Sequence, residues 1–229
     1  MGEEFELCKN DIVYFAEKYI KTSDKKKLVL YPKQKEILLG WFNNTKNVTI
    51  SSRQSGMTLL SLIFVIHRSI FFPKSTSCII SGRAEQVNYM HRNCEELLAS
   101  ISTEIPSLNN DYRIMFATPN IAYFRGKSID CLIFDNYDYW PITHSNFINN
   151  VMPCLKYKKS TFILQGTPIN DCGYMYSLYK KALNDKDLKF NTSKITIHDI
   201  PTQNNPEWLK SMHEINDDAT FNREFELKY

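Results

Sequence analysis

The sequence predicts a three-layer α/β fold on a mainly parallel central sheet, and three observations carry that expectation. Short β-branched, apolar runs alternate with longer stretches of helical periodicity along the chain. One run, Ile129-Asp130-Cys131-Leu132-Ile133-Phe134-Asp135, is almost continuously apolar, as a strand covered on both faces must be. Finally, Val48-Thr49-Ile50 leads through a small polar loop with one glycine, Ser51 to Thr58, straight into the apolar run Leu59 to Ile70. Strand, short loop and helix in that order turn backbone N–H groups and a helix N-terminus toward an anion.

Taken in order, residues 9–21 space apolar side chains as a helix does, with Asn10 or Asp11 as the cap. After the lysine-rich turn 21–27, Pro32 opens a second helix, Lys33 to Phe42. Residues 43–47 turn into the first central strand. Beyond the 59–70 helix lie a strand, Thr76 to Ser81, and a helix from Ala84 to about Ile101 with Val87, Met90, Cys94, Leu97 and Leu98 on one stripe. The stretch 102–112, with Pro106, reads as an exposed loop. Residues 112–117 and 121–124 read as a hairpin around Thr118-Pro119-Asn120. A helix near 146–155 follows the 129–135 strand, then the strand Ser160 to Gln165, closed by Gly166-Thr167-Pro168. A helix over Tyr174–Asn184, a strand over Ser193–Ile197 and acidic helical stretches near 206–216 and 219–228 complete the chain. With no repeat and no linker, residues 1–229 read as a single domain.

Composition narrows the function classes. A chain of 229 residues that is 43% hydrophobic and 23% charged is ample for a buried core. No apolar run approaches the roughly 20 residues that span a bilayer, and the acidic start lacks the profile of a signal peptide. The expectation is an intracellular protein without a membrane partner. Cysteines are scattered with no CxxC spacing, so reduced core thiols are expected; no histidine pair has metal-ligand spacing, which argues against structural zinc. The net charge of +3 permits a nucleic-acid partner without selecting one. The lysine clusters at 25–27, 156–159 and 180–181 read as solvated faces.

Three strand ends converge at the carboxyl edge of such a sheet, where open α/β folds bind ligands. They are the 51–58 loop, Asp135-Asn136 and Gln165-Gly166-Thr167. An Asp ending a buried strand is what a P-loop enzyme uses to hold Mg²⁺, and Thr58 would add a hydroxyl to the same metal. Order and spacing together favour a P-loop NTPase-like core.

The succession Tyr31-Pro32-x-Gln34, Ser52-Arg53-Gln54-x-Gly56-x-Thr58, Arg125-Gly126, Leu132-Ile133-Phe134-Asp135 and Gly166-Thr167-Pro168 resembles the ATPase domain of the large terminase subunit of tailed bacteriophages, the motor that packages DNA. The resemblance runs from about Asn10 to Phe225, where Phe221-Asn222-Arg223-Glu224-Phe225 is similar to the end of that domain. It implies an adenine-side subdomain at 10–47, a core at 48–200, a C-terminal helical segment at 201–229 and no nuclease domain. It implies ATP and Mg²⁺ as cofactors. Gln34 would read adenine; Ser52, Arg53, Gln54, Ser55, Gly56, Met57 and Thr58 would wrap the phosphates. Arg53 would stabilise the γ-phosphate, Thr58 and Asp135 would hold the metal, and Gln165, Gly166 and Thr167 would couple the γ-phosphate to motion. Double-stranded DNA, the portal or small terminase and further copies of the chain would be partners, in the cytoplasm of the infected host cell.

Two positions depart from that pattern. Met57 stands where the family has the phosphate-binding lysine, and Asn136 stands where it has the glutamate that activates water. Lys46 or Arg53 are candidates to replace the first charge, and Asp138 to position water. The residues leave open an ATPase with such compensation, a pseudo-ATPase that acts as a DNA-binding, structural or regulatory protein, and an unrelated α/β protein.

Overall fold

The computed structural model describes residues 2–22, 24–72, 74–105, 113–142, 144–156 and 160–229. Its strands are β1 (Lys46–Ser51), β2 (Ser77–Ser81), β3 (Ile114–Ala117), β4 (Cys131–Asp135), β5 (Thr161–Gly166) and β6 (Asn191–Ile195). They form one six-stranded sheet in the order β3-β2-β4-β5-β1-β6, with every pairing parallel. β5 thus lies between the strand that enters the glycine loop and the strand that ends in Asp135.

Side-chain alternation along these strands builds two cores. Ile79, Ile133 and Ile163 pack under α1 (Gly2–Asn10), α2 (Ile12–Tyr19), α3 (Pro32–Asn43), α4 (Met57–Phe71) and α5 (Ala84–Glu104). Ile80, Leu132, Phe134 and Leu164 face the other way, onto α6 (Ile121–Phe124), α7 (His144–Val151) and α8 (Tyr174–Asn184). All seven of these strand side chains are fully buried, each stabilising the fold by about 1.5–3 kcal/mol before entropy is counted. A smaller cluster of Ile197, Phe221 and Phe225, covered by Trp208 and Leu209, holds down α9 (Pro206–Ile215), α10 (Asp218–Phe221) and a π-helical turn at Asn222–Glu226.

Three expectations need correction. The helix over 9–21 is broken at Asp11, whose carboxylate accepts the N–H groups of Val13 and Tyr14, both at 2.9 Å, and so caps α2. The hairpin around 118–120 does not form. β3 is an edge strand parallel to β2, from Ser77↔Ile114 to Ile80↔Ala117, and Asn120 accepts the Ala122 N–H at 3.0 Å to start α6. Four apolar residues are too few for periodicity to separate helix from strand; here the capping Asn decides. The expected loop at 102–112 begins later than predicted, because α5 continues to Glu104, and its residues 106–112 lie outside the described residues.

Candidate functional site

Parallel register sets a polar row at the carboxyl edge of the sheet. Ser81 pairs with Asp135, Asp135 with Gln165, and Gln165 with Thr49. All four share the face of Ile79, Ile133 and Ile163, the face that α4 covers. Asp135 is fully buried. Its carboxylate accepts the Ser81 hydroxyl at 3.1 Å and the Gln165 Nε2–H, with Asn136 Nδ2 farther off at 3.5 Å. Burial pushes its pKa up to about 6, against the downward pull of those donors. Gln165 Oε1 in this row and Ser52 Oγ in the adjoining loop are buried with no hydrogen-bond partner.

The 51–58 loop is held from three sides. The Ser52 N–H reaches Ile195 O at 2.9 Å, and Ser55 Oγ turns back to Ser52 O at 2.8 Å. Gln34 is wedged beneath: its Nε2 donates to Ser55 O at 3.0 Å while its Oε1 accepts the Tyr31 N–H at 3.0 Å. Gly56 has φ of +80°, a conformation that favours glycine, and a Cβ there would lie 2.6 Å from Gln34 Nε2 and displace that side chain. Gln54, at φ of 58°, is also left-handed, and Gln203 Nε2 donates to its carbonyl at 3.3 Å. The third side is the π-helical turn. The Arg53 N–H donates to Glu224 O at 2.9 Å and Arg53 Nε to Glu224 Oε2 at 2.8 Å.

A second junction ties the other two segments. The Asn136 N–H donates to Gln165 O at 2.8 Å, and Asn136 Oδ1 accepts the Thr167 N–H at 3.4 Å. Asn136 has φ of 51°, a conformation asparagine tolerates better than most residues. Gly166, at φ of +145°, passes so close that a Cβ would sit 2.7 Å from Asn136 Cα. Beside this junction opens a cavity of about 180 Å³, lined by Arg53, Ser81, Arg83, Gln86, Asn136 and Tyr139 among others.

The structure therefore joins Asp135 to Gln165, Asn136 to Gly166 and Thr167, and Arg53 to Asn136 across one cavity. Other residues fall elsewhere. Met57, the first residue of α4, is buried in the core and presents no charge to the rim. Thr58 lines a separate groove of about 580 Å³ with Lys21, Leu62, Tyr89 and Asn93. Lys46 begins β1 at the opposite edge of the sheet, its ammonium 5.7 Å from the Phe190 ring, so it cannot replace the missing lysine. Asp138 is used structurally: it accepts the Met175 N–H at 3.0 Å and the Ile169 N–H at 3.4 Å, capping α8 instead of positioning water. Arg125 is exposed at the end of α6 and does not line the cavity. Arg83, Tyr139 and Glu224 belong to the rim and carried no site expectation. A cation opening a predicted helix was the available signal for Arg83; for Glu224 only long-range packing reveals it.

Among the described residues no group of three or more His, Cys, Asp or Glu could hold a metal by itself. That does not disqualify Mg²⁺, which keeps several waters and needs one or two carboxylates beside substrate phosphates. Asp135 Oδ1 accepts a single donor, Gln165 Nε2, and so keeps a lone pair for that use.

Sheet order, the left-handed loop and the strand-end Asp put the chain in the P-loop class of α/β folds. No family model matches it, and no curated protein does. Among solved structures, the HK97 bacteriophage large terminase aligns over 96% of this chain and 54% of its own, with 16% identity and a TM-score of 0.73. The large terminase ATPase domain of Thermus phage P74-26 aligns over 92% of this chain and 99% of its own, at 14% identity and a TM-score of 0.69. The large terminase of the thermophilic bacteriophage D6E in complex with ADP aligns over 86% of this chain and 53% of its own, at 11% identity and a TM-score of 0.68. The fold is that of a large-terminase ATPase domain, and the chain spans about half the length of the HK97 and D6E proteins. No helix among the described residues is long and apolar enough to cross a membrane.

Proposed function

We propose that this chain is a terminase-type nucleotide-binding domain of a viral DNA-packaging motor, taking ATP with Mg²⁺ at the rim formed by residues 51–58, 135–136 and 165–167. The observation that supports this best is the linkage of Asp135 and Asn136 to Gln165-Gly166-Thr167 beside a glycine loop that opens a helix. In this reading Asp135 holds the metal through phosphate and water, and the N-terminus of α4 with the loop N–H groups receives the phosphates. Gln34 braces the loop and reads adenine with its remaining Nε2 hydrogen. Gln165, touching the metal-binding carboxylate, reports occupancy to the 166–168 segment.

Hydrolysis is the weak step. Asn136 has no group that takes a proton from water, and Met57 supplies no charge to the leaving phosphates. Turnover is therefore slow relative to an enzyme with both groups. The buried Met57 and the capping role of Asp138 also favour a second reading, in which the chain binds nucleotide and DNA or a packaging partner (portal, small terminase or further copies of itself) without turnover. Either role is exercised in the cytoplasm of the infected host cell.

Calorimetric titration of an ATP analogue with and without Mg²⁺ tests the shared core of both readings. Mg²⁺-dependent binding that Asp135→Ala removes is expected; absence of binding by the wild type overturns it. Phosphate release from ATP, compared with the same Asp135→Ala variant, then separates slow turnover from none.

A further inference from the structure

Resting on the nucleotide reading, we propose that Arg83 is a phosphate-contacting residue which, with Arg53, holds the terminal phosphate of a nucleoside triphosphate in the cavity between them, supplying the cation that position 57 lacks. The cavity of about 180 Å³ is enclosed by three segments: Arg53 from the glycine loop, Ser81 to Gln86 from the β2–α5 turn, and Asn136 and Tyr139 from the exit of β4. At about 30 Å³ per water it offers roughly six water volumes, room for a phosphate group and part of its hydration. Two guanidinium groups line it and no carboxylate does. Its remaining polar lining, Gln86 and Asn136 with the hydroxyls of Ser81 and Tyr139, suits the oxygens of a tetrahedral anion.

The placement of Arg83 has no local explanation. It stands at the N-cap of α5, a 21-residue helix, where Ser, Thr, Asp or Asn would satisfy free N–H groups, and its side chain makes no capping hydrogen bond. A cation at that end adds to the positive pole of the helix, which costs stability instead of gaining it. Among the described residues the Arg83 side chain has neither an ion pair nor a hydrogen bond; Glu85, in the first turn of α5, suits the helix pole but does not pair with Arg83. A helix-capping position filled by a cation whose side chain has no partner inside the fold is the pattern expected of a residue kept for a ligand. Arg53 complements it. Its Nε is committed to Glu224, which fixes the guanidinium plane, while neither Nη group has a hydrogen-bond partner among the described residues. Paired arginines also suit phosphate better than one lysine, because each presents two parallel donors. Asp135 lies one hydrogen bond behind Ser81, which places a metal-binding carboxylate next to the same oxygens.

The test is a set of calorimetric titrations with Mg²⁺, using ATPγS and ADP on the wild type, Arg83→Ala and Arg83→Lys. The wild type is expected to bind ATPγS more tightly than ADP. Arg83→Ala should weaken ATPγS by on the order of tenfold or more while leaving ADP unchanged, the loss typical of one charged hydrogen bond. Arg83→Lys should recover part of the difference. Because Arg83 is exposed, both variants should melt with the wild type. Unchanged preference in Arg83→Ala, or equal weakening of both nucleotides, overturns the assignment and leaves the nucleotide reading standing. Inorganic phosphate titrated alone that binds as tightly as ATPγS, and loses that binding in Arg83→Ala, overturns the triphosphate source in favour of a free-anion site. Failure of the wild type to bind either nucleotide overturns the nucleotide reading itself, and the proposal with it.

Discussion

Glu224 receives the Nε–H of Arg53 at 2.8 Å from 171 positions away in sequence, and its backbone carbonyl receives the N–H of the same arginine at 2.9 Å. The C-terminal segment therefore holds the glycine loop by both main chain and side chain. Tyr139 Oη and Arg223 Nε donate to the other carboxylate oxygen, at 3.1 and 2.9 Å. Burial pushes the Glu224 carboxyl up, but the hydrogen bonds from Arg223 and Arg53 outweigh it and hold the pKa below the usual value. A lowered carboxylate pKa stabilises the fold above the unfolded value of about 4.3, and the contribution disappears as pH falls through the folded value. Glu224→Gln should cost about 1–2 kcal/mol at pH 7, and the gap between variant and wild type should close below pH 4. Urea unfolding at pH 7 and pH 3 reads both; a gap unchanged at pH 3 would count against the ion pair.

Gly166 marks where the segments following β4 and β5 touch. Its φ of +145°, and the mere 2.7 Å that would separate an added Cβ from Asn136 Cα, make alanine doubly unfavourable. Gly166→Ala should destabilise the chain by about 2–3 kcal/mol through strain and crowding together. Because the displaced neighbour is backbone at the end of β4, Mg²⁺-dependent nucleotide binding should fall as well. A melting point within a degree of the wild type would show that the junction yields freely.

Much of this architecture was legible in local pattern. The apolar run 129–135 read as a buried strand, and β4 is one; the single glycine after Val48-Thr49-Ile50 read as an anion loop, and Gly56 adopts the left-handed backbone such a loop needs. What stayed hidden depended on contacts between distant positions. Met57 could be seen as a missing lysine, but its burial in the core at the start of α4 is a packing fact. Asp138 looked available for water until Met175 and Ile169 were found to use it. Residues 121–124 carried no information that separates strand from helix, since four positions make barely one helical turn. The polar row Ser81-Asp135-Gln165-Thr49 follows from sheet order, which no single segment encodes.

His67, far from the rim, sets the acid limit of the fold. It is fully buried, with ring centroids of Phe15 at 5.3 Å, Phe42 at 5.4 Å and Phe71 at 4.8 Å. Its Nε2 donates to Cys8 O at 2.9 Å, tying α1 to α4, while Nδ1 has no partner. Burial lowers its pKa to about 4, from the ordinary 6.5. The neutral ring is thus favoured in the folded state. Its contribution is complete above pH 6.5 and is lost as pH falls toward 4, when the unfolded chain takes the proton first. Between pH 7.5 and pH 5 the loss should reach about 2 kcal/mol. His67→Phe should be less stable at pH 7.5, having lost the bond to Cys8, yet should change less across that interval. Chemical denaturation at the two pH values measures it.

Restoring the two altered positions should come at a cost to the empty protein, and only position 136 should limit turnover. Met57→Lys places an ammonium where a thioether now packs in the core, so the apo fold should lose about 1–3 kcal/mol unless the side chain reaches the rim. Asn136→Glu meets a different obstacle. Position 136 has φ of 51°, and Gly166 lies directly against its backbone and side chain. Glutamate in a left-handed conformation costs about 1 kcal/mol more than asparagine, and the Thr167 N–H loses its acceptor. Each single variant should melt below the wild type. Met57→Lys should release phosphate from ATP no faster, because the base is still missing, whereas Asn136→Glu should release it faster, because Arg83 and Arg53 already supply the cation. The double variant should show the strongest stabilisation by ATP and Mg²⁺, because bound ligand offsets the strain. Phosphate release that rises only in the double variant would mean that the wild-type rim does not supply the charge missing at position 57.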